Sequence, residues 1–227
     1  MLRMDTELLI KTFPKIYHMA ELQSWSGIQR HGLLSASALL DLYETPADDR
    51  FAAECQRRKE SVRLQHPVHG EAVIRDNMPM DDSGLLRALT DMSPLEWYRT
   101  LNAKVFFWLT ERRLRTLLQA RAYRSRQHCI LTVDTRALVG AYEDRIWLCP
   151  INSGATKPMP APRGSKTFRR IKDYPFEERL TITRSPQKSV AELAIDYSVP
   201  NIGDYLDEAT IRDQVGIVST IFRRNAT

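Results

Sequence analysis

The side chains able to do chemistry gather in three places: the Tyr17-His18 pair, the HGLLS element from His31 to Ser35, and Glu192 in AELAIDYSVPNI. An imidazole and a carboxylate are the usual carriers of proton transfer and charge stabilisation. Each also has a purely structural reading. His18 on an apolar strand reads equally well as a hydrogen-bonded core histidine. Glu192, between Ala191 and Leu193, reads equally as the solvent-facing residue of an alternating strand. The run Phe106-Phe107-Trp108 suits core packing, with one ring left to line a pocket, and Arg75 suits an exposed or ion-paired arginine.

Standard catalytic signatures are missing. The sequence holds no Walker loop, no GxGxxG after a strand, no GxSxG elbow and no HExxH. His66 and His69 are three apart, but no third ligand stands at a convincing spacing. They read as turn-forming or hydrogen-bonding histidines, and no metal is expected. Cys55, Cys129 and Cys149 are odd in number and widely spaced, so they form neither a disulfide framework nor a ligand set. Buried thiols in a reducing compartment are the expectation.

Basic residues concentrate in two runs, Arg112 to Arg126 and Arg163 to Lys172, within a net charge of +5. The first run fits a solvated helical face or a phosphate-contacting one. The excess charge weakly favours a polyanionic partner or an anionic cofactor.

These residues need elements to position them, and 227 residues suffice for one compact domain spanning 1–227. No apolar run is long enough to span a bilayer, so no membrane partner is expected. The N-terminus lacks a secretory h-region, which points to the cytoplasm. KIYHMA reads as a strand. SWSGIQRHGLL reads as a short helix capped by Ser24 and stopped by Gly32. Further helices are expected at SASALLDLYE, over 48–63, at DDSGLLRALTDM, at SPLEWYRTL behind Ser93 and Pro94, and at TERRLRTLLQARAY. The segment 66–80 reads as surface loop with a short strand. KVFFWL, HCILTVDT, DRIWLCPI and the segment from Glu192 read as strands, and 152–175 as a long functional loop. Helices thus crowd the first half and strands the second, an α+β pattern.

The segment YHMAELQSWSGIQRHGLLS resembles the opening of DarT-like ADP-ribosyltransferases. SVAELAIDYSVPNI is similar to their glutamate-bearing strand, and VFFWLTERRL stands where they carry an aromatic strand. HPVHG, IRDNMPM, INSGAT and PRG also resemble an uncharacterised bacterial family. The resemblance implies an ADP-ribosyltransferase-like split β-sheet core and NAD as the substrate, with no metal. Glu192 would stabilise the oxocarbenium-like ribose, as carboxylates do in glycoside hydrolysis. His18, beside Tyr17, would hold a ribose hydroxyl. Gly32 and Leu33 would admit the cofactor closely, and one of Phe106, Phe107 and Trp108 would stack on nicotinamide. Ser24 stands where the family has an Asn, and the aromatic run lacks the family's tyrosine. Arg75 is the first candidate for the family's arginine, with Arg57, Arg58 and Arg112 behind it. Arg163, Lys166, Phe168 and Arg169 would contact a macromolecular acceptor, a nucleic acid or a protein. An antitoxin partner follows by analogy alone. Two other readings stay open. One is an inactive binder of NAD, ADP-ribose or nucleic acid on the same fold. The other is an RNA 2-phosphotransferase, which needs several arginines and no carboxylate around His18.

Overall fold

The computed structural model describes residues 5–157 and 159–225. Helices begin where a side chain can satisfy the first free N–H groups. Asp5 caps α1 (Thr6–Thr12), Ser35 caps α3 (Ala36–Leu42) and Asp81 caps α5 (Asp82–Ala88). Ser93 and Glu96 form a full capping box on α6 (Pro94–Asn102), with Pro94 at the first position as the sequence suggests. Thr110 caps α7 (Glu111–Leu118) and Asp134 caps α8 (Thr135–Tyr142). The helices α2 (Trp25–His31) and α4 (Ala47–Cys55) start without a side-chain cap. Ser24, expected as the cap of α2, ends a 3-10 turn and makes no capping bond. The short helices α9 (Phe176–Thr183) and α10 (Pro186–Ser189) follow the long loop. No described helix is long and apolar enough to cross a membrane.

Seven strands form one antiparallel sheet: β1 (Lys15–Glu21), β5 (Lys104–Trp108), β6 (His128–Asp134), β7 (Ile146–Cys149), β8 (Glu192–Asp196), β10 (Leu206–Arg212) and β11 (Ile217–Arg223). Their order is β11-β10-β6-β1-β5-β8-β7. Two small sheets stand apart: β2 (Leu33–Leu34) with β9 (Ser198–Val199), and the hairpin β3 (Val62–His66) with β4 (Gly70–Ile74). The protein is therefore α+β. One sheet face packs Ile16, Phe107, Leu131, Leu193 and Ile195 against α1, α8 and the chain around Tyr174. The other face carries two smaller clusters, one around Trp97 and Phe168 and one around Met19 and Leu114.

Three segments depart from the sequence reading. The helix expected over 48–63 stops at Cys55, and alternating Val62 and Leu64 instead enter β3. HPVHG is then the turn of a hairpin, whose partner strand is β4. TRALVGAY forms α8 directly behind β6, with Asp134 serving both as the last strand residue and as the cap. With no linker between them, the strand masked the helix. β10 and β11 extend the sheet beyond the expected last strand at Glu192.

The sheet forks. β1 shares seven register pairs with β6 and β5 shares five with β8, but β1 meets β5 at Tyr17↔Trp108 alone. Beyond that pair the two strands diverge, and the gap between them positions the site.

Candidate functional site

The fork between β1 and β5 opens into a cleft of about 270 Å³. The hairpin wall Glu71–Ile74 closes one side, α2 with Gly32 and Leu33 the other, and Leu39, Tyr98 and Asn102 the back. Its size falls just below the range of ~300–1,000 Å³ common for ligand pockets.

His18 lies deep in the fork. Its Nδ1 is 2.9 Å from the carbonyl oxygen of Phe106, and its ring meets Phe107 edge-on with centroids 5.8 Å apart. A carbonyl only accepts, so Nδ1 carries the proton and Nε2 is left as an acceptor. Burial pushes the His18 pKa down to about 4, and the charge of Arg75 works in the same direction against the bond to Phe106. The imidazole is therefore neutral at physiological pH and suited to accept a bond from a ligand hydroxyl.

Charged groups line the polar end. Arg75 donates from Nη1 to Met19 O at 3.2 Å, lies 3.3 Å from Glu21 through Nε, and stacks over Tyr123 at 4.7 Å. Arg58 donates to Arg75 O at 3.0 Å and to Asn102 Oδ1 at 2.9 Å. Desolvation lowers its pKa to about 10, which still leaves it charged. Asn77 Oδ1 is buried without a hydrogen-bond partner, and Glu21 Oε1 is met only by the ion pair with Arg75. A lining with both donors and acceptors suits a hydroxylated or amide-bearing group. Among residues the sequence reading missed, Glu21, Tyr98, Asn102 and Lys104 line this cleft, and Arg58 moves from a reserve candidate to a wall. Only the position of Glu21 at the end of β1 was a usable signal.

The structure brings together six of the expected residues, His18, Ser24, Gly32, Leu33, Arg75 and Phe106. It does not bring Glu192 to them. Register pairs Tyr17 with Trp108 and Trp108 with Glu192, so Glu192 lies beside the last pair before the fork and is not among the residues that line the cleft. Glu192 is not the solvent-facing residue of an alternating strand either, being 4% exposed. Ser153 N–H lies 3.2 Å from each of its carboxylate oxygens. Tyr17 and Trp108 pack with Leu114 and Ile130, and Phe107 is in the main core. Phe106 is thus the one ring of the run that faces the cleft.

The loop residues separate as well. Arg163 is 2% exposed and donates to the carbonyls of Ala161, Ser153 and Ala155 at 3.0, 2.9 and 2.9 Å. Phe168 is buried against Trp97, with ring centroids 5.9 Å apart. Arg169 forms a backbone bridge to Leu148, and only Lys166 of the four is exposed. A basic run near an aromatic ring looked like a nucleic-acid surface; two of its members instead build the loop's interior. Gly32 lines the cleft with a φ of +76°, and its tight approach to Pro200 also serves the chain's own packing.

Burial raises the Glu192 pKa from 4.5 to about 7, opposed by the Ser153 bonds and by the charges of Arg113 and Arg163. An acid with a raised folded pKa stabilises fully below its unfolded value and loses that contribution as pH rises through about 7. Glu192→Gln mimics the protonated form. It should match the wild type near pH 5 and exceed it by about 2–3 kcal/mol at pH 8. Urea unfolding of both proteins across that range checks the sign. The low pKa of His18 acts in the opposite direction in both and cancels in the comparison.

A family model described as "Family of unknown function (DUF7002)" matches residues 14–206. No curated protein matches the chain.

Proposed function

The chain belongs to this family of unknown function, and on that footing we propose that its cleft binds NAD and that the protein transfers ADP-ribose to a macromolecule. One observation carries the reading: the sheet forks where β1 and β5 part, and neutral His18 sits in the fork with Phe106, Arg75 and Ser24 around it. The nicotinamide riboside end of NAD suits that lining. Nε2 of His18 accepts from a ribose hydroxyl, Phe106 offers a ring face, and Asn77 offers a buried acceptor to a hydroxyl or amide donor.

In the transfer, the bond from ribose C1 to the nicotinamide nitrogen breaks and nicotinamide leaves with the bonding pair. A nucleophilic oxygen or nitrogen of the acceptor then bonds to C1 and gives up its proton to a base. The resemblance assigns the charge-stabilising carboxylate to Glu192. With Glu192 outside the cleft lining and held by Ser153, a second reading gains ground, a binder of NAD or ADP-ribose without turnover. The phosphotransferase reading loses ground. Arg58 and Arg75 do converge with His18, but Glu21, Glu71 and Asp76 line the same cleft.

Nicotinamide release from NAD, measured with and without cell lysate as a source of acceptor, tests the transfer. Release by the wild type with a loss of about a thousandfold in Glu192→Gln is expected for an enzyme that uses this carboxylate. No release under either condition, with NAD still bound, would leave the binder reading in its place.

A further inference from the structure

The mouth of the cleft is bridged by contacts that the proposed chemistry does not use. The β3–β4 hairpin lies outside the main sheet, and its residues Glu71–Ile74 form one cleft wall. Leu64 and Ile74 anchor it to Leu40, Tyr43 and Ala53. The turn end of the hairpin, Pro67 to Gly70, reaches across to the last turn of α2. There the rings of His31 and His69 meet edge-on with centroids 5.0 Å apart, and Arg30 Nη1 donates to Val68 O at 3.4 Å.

Behind this contact the histidines form a stack. His66 lies on His69 at 4.6 Å with 26° between the rings, and the Tyr43 hydroxyl donates to His69 O at 3.2 Å. His66 Nδ1 lies 3.2 and 3.4 Å from the backbone N–H groups of Val68 and His69 and accepts from them, so it bears no proton. His31 Nε2 and His69 Nδ1 are buried without a hydrogen-bond partner. No group of three or more His, Cys, Asp or Glu among the described residues is placed to hold a metal. Stacked rings and an occupied His66 Nδ1 are poor ligand geometry.

We propose that the β3–β4 hairpin is a flap over the cleft, latched shut where neutral His31 meets the ring of His69 and released when His31 gains a proton. Every facing group favours that direction. On α2, Arg30 adds positive charge beside His31. On the hairpin, His66 cannot gain a proton at Nδ1 without losing two backbone bonds, and Glu71 is paired with Arg63 at 3.0 Å. On α3 and its end, the neighbour is the phenol of Tyr43. None of the described carboxylates lies within ion-pair distance of either latch imidazole. A protonated His31 therefore places a cation beside Arg30 with its new N–H group unmatched. Burial, His69 and Arg30 together hold the His31 pKa below its usual value. The latch is thus intact above about pH 6.5 and weakens as pH falls below it.

Hydrogen exchange on the full chain, corrected for intrinsic rates, tests this without any ligand and independently of the NAD reading. Between pH 7.5 and 5.5, amides of the turn end should lose protection on the order of tenfold, which corresponds to about one pKa unit of coupling. Amides of β1 and β6 should not change. The double variant H31Q/H69Q should show the same turn-end protection at both pH values. Turn-end protection that ignores pH, or that falls equally in the variant, would overturn the proposal. If the variant fails to fold, an NMR titration of the histidine rings in the wild type decides. His31 must titrate below 6.5, and a value at or above it would overturn the latch.

Discussion

Arg163→Ala is expected to lower the stability of the protein by about 3–4 kcal/mol. The side chain donates to three carbonyls, those of Ala161, Ser153 and Ala155, and its guanidinium lies 5.7 Å over the Trp97 ring. Truncation leaves those acceptors short of a donor inside the loop, and a buried unmatched polar group costs about 1–3 kcal/mol. Arg163→Lys should recover little, because one compact ammonium cannot reach three carbonyls held in a fork. A second effect follows from position. Arg163 fixes Ser153, and Ser153 N–H is the donor to Glu192. With that donor loosened and one nearby cation gone, the Glu192 pKa should rise above its value of about 7. Urea unfolding measures the first effect, and the pH dependence of the same curves measures the second. Unchanged stability, with weaker binding to single-stranded nucleic acid, would restore the phosphate-contact role that the basic run first suggested.

The second large effect is at Gly32. Replacement by Ala should destabilise by about 2–4 kcal/mol. A Cβ there would lie 2.4 Å from Pro200 Cα and from Pro200 O, which are backbone atoms with little room to move. Its φ of +76° adds the ordinary cost of a left-handed residue bearing a side chain. The strain falls where α2 turns into β2 and β2 pairs with β9, so the cleft wall at Leu33 should shift with it. A thermal melt reads the loss. Gly27→Ala, in the interior of α2 with nothing within 4 Å of its added Cβ, is the control and should not destabilise.

Local signals carried most of the fold. Ser93 with Pro94 announced α6, and Gly32 announced the end of α2, because caps and stops are written within a few residues. KVFFWL showed as a strand, and its alternation placed Phe107 opposite Phe106 and Trp108. α8 was hidden because β6 runs straight into it through Asp134. The cleft was half legible. His18, Gly32 and Leu33 come from one stretch of sequence, and the fork brings Phe106 and Arg75 to them. The place of Glu192 depended on its register with β5, a long-range pairing with no local mark. For the same reason Arg163 and Phe168 read as surface residues. A charge and a ring in a loop rich in Pro and Gly give no hint that the loop folds back over Trp97. His31 and His69 were likewise separate turns in the sequence until the hairpin joined them.

The central claim is that the fork at His18 binds NAD. Isothermal titration of NAD into the wild type and His18→Phe, with melting curves to verify folding, tests it directly. Phe fills the site but removes the acceptor nitrogen, so wild-type binding should weaken at least tenfold, about 1.4 kcal/mol, in the variant. No heat from the wild type at millimolar NAD, or equal affinity in a folded His18→Phe, would contradict the account.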